Sequence, residues 1–279
     1  MKPLQAAVSL ASSAGERLTE RQVAVICASH NGEPVHVRIV RSILAQAGLS
    51  EADLATPPGL PLDAEERRRV RRRRRVLHDC SGKHAGMLLA SVRSGWPTET
   101  YRRRGHPLQR RILRAVRAAS SMSDVRVGVD GCGVPVHGMP LRALATLYAR
   151  LAEPERLGQP LAEHAARAAA AMRRHPYLVG GRHRVDTTVM SHVTRVIAKE
   201  GAEALACAAV LDAGLGIAVR IHDGGYRAVG PALIRTLDQL GILDRAARSA
   251  LRPLSRPPVL GGGERVGNIE ASFELWKHT

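Results

Sequence analysis

Apolar positions along this chain fall mostly into helical spacings up to about residue 200 and into strand-like runs beyond it. Residues 2 to 14 read as a helix with Pro3 in its first turn, where no intrahelical partner needs an N–H. Val23 to Ala28 is too brief for a helix and rich in branched residues, the pattern of a buried strand, and Ser29-His30-Asn31-Gly32-Glu33-Pro34 is the polar turn that ends it. Such turns commonly carry function because a rigid element aims their side chains. Val40, Ile43, Leu44 and Ala47 mark an amphipathic helix from Val35 to Ala47, closed by Gly48. A proline-rich loop spans Thr56 to Pro61, and the arginines that follow belong on an exposed helix. Ser81 stands at a helix N-cap, after which His84, Met87, Leu88 and Val92 share one side. Pro107 opens a helix faced by Leu108, Ile112, Ala115 and Val116, and Val125 to Val129 is a short strand that delivers Asp130 and Cys132.

Three more helices are expected near 140 to 152, 161 to 173 and 186 to 199. In the last, Val189, Val193, Val196 and Ile197 form the stripe, and Lys199 complements the dipole at the C-terminal turn. Residues 204 to 211 and 215 to 222 flank Asp212-Ala213-Gly214 as a β-hairpin, and Asp223-Gly224-Gly225 turns the chain again. A helix over Pro231 to Leu240 and a strand over Asn268 to Leu275 complete the pattern. Antiparallel strands after a helical middle make the fold α+β, in one domain over residues 1–279. Its helical region is 35–199, and its sheet region is 200–279 plus 21–28.

Composition narrows this little. At 279 residues the chain can bury a large core, and with 3% aromatics that core must be mostly Leu, Val, Ile and Ala. A formal charge of +17 suggests an anionic partner, but eight of the positive charges lie in Arg67–Arg69 and Arg71–Arg75. The run is either a solvated face or a nucleic-acid patch, the latter being the alternative function, with steeply salt-dependent binding. Cys27, Cys80, Cys132 and Cys207 are too few for a disulfide framework and fit reduced thiols in the cytoplasm. No apolar run reaches the length of a membrane span.

Candidate chemistry sits in two places. Asp79-Cys80-Ser81-Gly82-Lys83-His84 gathers a thiol, an amine and an imidazole at a helix head, where free N–H groups favour an anion and lower a thiol's pKa. Val129-Asp130-Gly131-Cys132-Gly133 brings a carboxylate and a second thiol to the end of a strand. Cys27 and Cys207 lie in apolar runs and are assigned to packing.

Lys2-Pro3-Leu4-Gln5, Cys27-Ala28-Ser29-His30-Asn31-Gly32-Glu33 with His36, Cys80-Ser81-Gly82-Lys83-His84-Ala85-Gly86-Met87, Val129-Asp130-Gly131-Cys132, Lys199 and the glycines of 261 to 267 occur in an order that resembles the bacterial L-asparaginase II family, the rhizobial or class 3 enzymes. The resemblance spans essentially the whole chain. It implies a serine β-lactamase/glutaminase-like fold, a cytoplasmic homodimer, and hydrolysis of L-asparagine to L-aspartate and ammonia through an acyl-enzyme. Catalytic positions fall on Lys2, Ser29 and Lys199, and substrate-binding positions on His84, Asp130 and His30. A zinc site falls on Cys80, Lys83 and Cys132, although spacing alone would favour His84 over Lys83, an uncommon ligand that must first lose a proton. In the family the nucleophilic serine stands three residues before the lysine matched by Lys2, so its position precedes Met1. Roughly fifty residues that supply sheet strands in the family are expected ahead of it as well. The chain is therefore expected to be shortened and slow as written, with Ser29 beside Lys2 or Lys199 as a substitute nucleophile. The 56–78 segment is more basic than the resemblance predicts.

Overall fold

A computed structural model describes residues 1–14 and 17–276. Its hub is helical. The first helix, α1 (Lys2–Ser9), continues as a π-helical turn (Leu10–Ala14) and is buried along most of its length. Around it pack α5 (Ser81–Arg93), α6 (Pro107–Ser120) and α8 (Leu161–Arg174), while α2 (Glu20–Ile26) lies between α8, α5 and α3 (Pro34–Gln46). The short α4 (Ala64–Arg69) precedes α5 on the surface. A hairpin of β1 (Arg126–Val129) and β2 (Pro135–Gly138) leads into α7 (Leu141–Ala152).

After α9 (Pro176–Val179) and α10 (Val185–His192), β3 (Val196–Gly201), β4 (Leu205–Val210) and β5 (Leu215–Arg220) form an antiparallel sheet in that order. α7 lies so close on this sheet that a Cβ at Gly216 would stand 1.8 Å from the Ala145 carbonyl oxygen. α11 (Val229–Gln239) and α12 (Arg245–Ser255) follow, and a separate hairpin of β6 (Pro258–Gly261) and β7 (Glu264–Asn268) comes near the end. The architecture is α+β with small antiparallel sheets. As the composition requires, Leu, Val, Ile and Ala dominate the core.

Five readings differ from the structure. Val23 to Ala28 is not a strand: residues 20–26 are helical and Cys27 is the C-cap, so 21–28 contributes nothing to the sheet. A capping box between Thr19 and Gln22 starts α2, and burial of every residue from Gln22 to Ile26 removes the polar face that would have shown a helical period. Residues 186–199 are not one helix, because α10 ends at His192 and Lys199 lies within β3, opposite Cys207. Ser81 is the first helical residue and Cys80 the cap; the Ser81 hydroxyl donates back to the Val76 carbonyl at 2.8 Å. The last strand pair lies at 258–268 rather than at Asn268 to Leu275. Of the arginine run, only Arg67–Arg69 lie in an α-helix, and Arg75 opens a 3-10 turn. The expected hairpin around Asp212–Gly214 and the helices at 107, 140 and 161 are present.

Two glycines set how near α5 comes to α2. A Cβ at Gly82 would lie 2.1 Å from the Val25 carbonyl oxygen, and one at Gly86 would lie 2.6 Å from Ile26 Cγ2. Being four residues apart, they share one helical face. Gly82→Ala is expected to destabilise the fold by about 3 kcal/mol, because backbone has to move to admit the methyl. A urea melt measures this, and a loss below about 1 kcal/mol would mean that the helices separate freely.

Candidate active site

The segment after α2 is threaded between two others. Ser29 N and Asn31 N donate to the carbonyls of Val179 and Gly180 at 3.1 and 2.8 Å, and His30 N donates to the Asp79 carbonyl at 3.1 Å. The Asn31 carbonyl in turn accepts from Leu62 N at 2.8 Å. Gly181, at φ +107°, lies so close to Asn31 and Glu33 that a Cβ there would meet Glu33 Oε1 at 2.4 Å. Ser29 is thereby fixed in an extended stretch with neighbours on both sides.

From α1, Lys2 reaches this stretch: its Nζ donates to Ser29 Oγ at 2.6 Å and lies 3.5 Å from Asp79 Oδ2. Asp79 also pairs with His78 Nδ1 at 2.9 Å. Burial would raise the Asp79 carboxyl, but Lys2 and His78 hold it well below the usual carboxylate range. For His78 burial acts in the lowering sense, and the bonds to Asp79 and Cys80 outweigh it and raise it to about 9.

Beyond Asp79 lies the thiol cluster. The ligand atoms of Cys80, Asp130 and Cys132 lie within 4.8 Å of one another. Lys83 Nζ, from the first turn of α5, is 3.3 Å from Cys132 Sγ and 3.5 Å from Asp130 Oδ2. Its bond from Cys132 is the main influence drawing Cys80 well below the ordinary thiol value, with Lys2 and Lys83 adding to it. Burial opposes charge on Lys83, but the two sulfurs and Asp130 raise it above an ordinary lysine.

On the far side of Ser29 is a buried ionic group. Lys199 Nζ donates to Asp186 Oδ2 at 2.6 Å, and both side chains are almost wholly enclosed. Arg184 Nε pairs with Glu200 at 3.0 Å, and its Nη1 donates to the Ser29 carbonyl at 3.2 Å and to Asn31 Oδ1 at 3.3 Å. Burial first, with Lys2 and Arg184 assisting, lowers Lys199 below the ordinary lysine value, against the pull of Asp186. Arg184 and Glu200 also line a cavity of about 540 Å³ together with Leu62, Tyr226 and Leu254.

The residues singled out from the sequence thus form one connected region. Lys2 meets Ser29, while Cys80, Lys83, Asp130 and Cys132 meet one another. Lys199 bonds Asp186 and is linked to Ser29 through Asp186, Glu200 and Arg184 in turn. His30 and His84 are fully buried behind the site: His30 Nε2 lies 3.0 Å from Ser81 Oγ, and His84 Nδ1 lies 2.6 Å from the Tyr101 hydroxyl. Burial keeps both imidazoles neutral. Cys27 and Cys207 are buried and unpaired, and burial pushes their thiols up to about 12 and 11, as packing residues require.

Sequence reading missed His78, Arg184, Asp186 and Glu200. His78 and Asp79 adjoin Cys80, so their position was itself a signal. Asp186 and Lys199 are separated by α10 and a turn, and no periodicity joins them.

A comparison with curated proteins finds none that matches. The sequence model of the L-asparaginase II family matches residues 1–271. The chain belongs to the L-asparaginase II family and is an L-asparaginase, an amidohydrolase.

Proposed function

We propose that this L-asparaginase works through an acyl-enzyme formed on Ser29, with Lys2 as the base. The observation that carries this reading is the 2.6 Å contact between Lys2 Nζ and Ser29 Oγ. A serine hydroxyl is a weak nucleophile until an adjacent base takes its proton; Lys2, an ammonium while it pairs with Asp79 and donates to Ser29, takes up that role once it has given its own proton to solvent. The Ser29 proton passes to Lys2 as Oγ attacks the side-chain amide carbon of asparagine. Collapse of the tetrahedral adduct breaks the C–N bond, and the departing nitrogen takes the proton back from Lys2 and leaves as ammonia. Water, deprotonated by the same amine, then attacks the β-aspartyl ester, and Lys2 returns that proton to Ser29 Oγ as the ester bond breaks and aspartate leaves. Lys199 contributes positive potential from its buried pair with Asp186. Asp130 meets the substrate directly, while His30 and His84 act from behind it by holding Ser81 and Tyr101. Arg184 and Glu200 offer the substrate's carboxylate and ammonium partners of opposite charge from the adjoining cavity.

Rapid quenching during turnover tests this. The expected result is a β-aspartyl mass increment on the peptide containing Ser29; turnover with the label elsewhere would refute the assignment.

The thiol cluster suits zinc, since two sulfurs and a carboxylate, a donor set that this cation accepts, converge within a few ångströms, and the Lys83 amine beside Cys132 can join them once it has lost its proton. We assign zinc to Cys80, Cys132 and Lys83, with Asp130 beside them. Bound there, it would supply Lewis acidity or hold a water. Cys80→Ala and Cys132→Ala are each expected to lose the bound zinc measured by elemental analysis under reducing conditions, and full retention in both would reject the site.

The α+β architecture is compatible with the β-lactamase/glutaminase-like fold, and four free thiols accord with the cytoplasm. No helix among the described residues is long and apolar enough to cross a membrane. We further infer a homodimer, on the family resemblance. The arginine run does not favour the nucleic-acid alternative: Arg69 and Arg74 are engaged by Glu65, Glu66 and Glu51, and Arg75 bonds the Thr56 carbonyl.

A further inference from the structure

We propose that a second, separate site, between the C-terminal half of α12 and the β6–β7 hairpin, binds a small oxyanion of the diphosphate class. A cavity of about 400 Å³ is lined there by Ser249, Arg252, Pro253, Arg256, Pro258, Arg265 and Asn268. Three guanidinium groups and two neutral polar side chains meet in it, and no carboxylate is part of its lining.

The charges are only partly spent. Arg256 pairs with Glu270, and both are about half exposed. Arg265 donates to the neutral Asn268 amide oxygen. Arg252 has no carboxylate partner among the described residues. The mouth therefore carries an excess of about two positive charges over the one that Glu270 offsets. A monocarboxylate would leave part of that excess unmet, whereas a diphosphate presents several oxygens to planar guanidinium forks, which bind phosphate oxygens in pairs. Pro253 within α12 and Pro258 at the start of β6 limit how far the two walls can give.

Nothing in the amide hydrolysis proposed above uses this cavity, so its occupancy can be read without reference to activity. The test is isothermal titration of the full chain with inorganic diphosphate at roughly physiological salt, where diffuse surface attraction is screened. One saturable site is expected, weakened about tenfold in Arg252→Ala and again in Arg265→Ala. An Arg71→Ala/Arg72→Ala variant, which removes charge from the exposed run, should bind like the unaltered chain. Absence of saturable binding, or equal weakening by the Arg71/Arg72 change, would overturn the proposal. Both substituted arginines lie on the surface, and melting temperatures equal to that of the unaltered chain would show that the variants are folded.

Discussion

Ser29→Ala is expected to lower kcat for ammonia release from asparagine by about a thousandfold or more, the scale on which removal of the proposed nucleophile is felt when the rest of the site is intact. The substitution deletes one oxygen whose only side-chain bond among the described residues is the one from Lys2. Loss of that single bond costs stability only about 1 kcal/mol, so the folded fraction stays high and the rate loss is chemical. Lys2→Met should fall by a similar factor, because a serine whose proton has nowhere to go is as inert as no serine. In the double variant the losses should not multiply, since the two groups act as one unit. Steady-state ammonia release by the three variants and the unaltered chain decides the matter. A Ser29→Ala enzyme retaining a tenth of the rate or more would place the nucleophile elsewhere.

Much of this site was legible as residue types and spacings. Cys80 to Met87 and Asp130 to Cys132 announced a thiol cluster, and the structure brings their ligand atoms within 4.8 Å. What spacing could not convey was depth. His84 lies four residues after Cys80, as a metal ligand on a helix would, yet its ring turns to Tyr101, and Lys83 faces the sulfurs. A one-residue step around a helix is a rotation of about 100°, enough to exchange a site-facing group for a core-facing one. The misread strand at Val23 to Ala28 has a related cause. A short helix buried at every residue from Gln22 to Ile26 shows no polar face there, so branched residues were the only cue left, and they pointed to a strand. Lys199 was recognised as important but set in the wrong element, because Val196 and Ile197, buried within β3, and Val193, the C-cap of α10, also fit a helical stripe.

That strand position is what makes Asp186 indispensable. Asp186→Asn keeps the shape of the side chain and removes its charge, leaving the Lys199 ammonium buried with no carboxylate in contact. Breaking a buried pair by neutralising one member costs about 3–5 kcal/mol, since the desolvated partner is left uncompensated. For a chain of this size the melting temperature should fall by about 10 °C. Adding Lys199→Met to Asp186→Asn should restore part of the loss, because an apolar side chain removes the stranded charge. The pH dependence carries a sign that identifies the pair. Burial would raise the Asp186 carboxyl, but Lys199 and then Arg184 bring it down to about 2 from an ordinary 3.8. A carboxylate depressed in the folded state lends stability that is complete above its ordinary value and is lost as pH falls through the depressed one. The gap between the unaltered chain and Asp186→Asn should therefore narrow between about pH 4 and pH 2. Lys199 acts in the opposite sense at the other end of the scale: lowered by burial, it withholds stability below its folded-state value and returns it as pH rises past that value. Denaturant melts across pH measure both limbs. A gap that stays constant down to pH 2 would show that the Asp186 charge does not support Lys199.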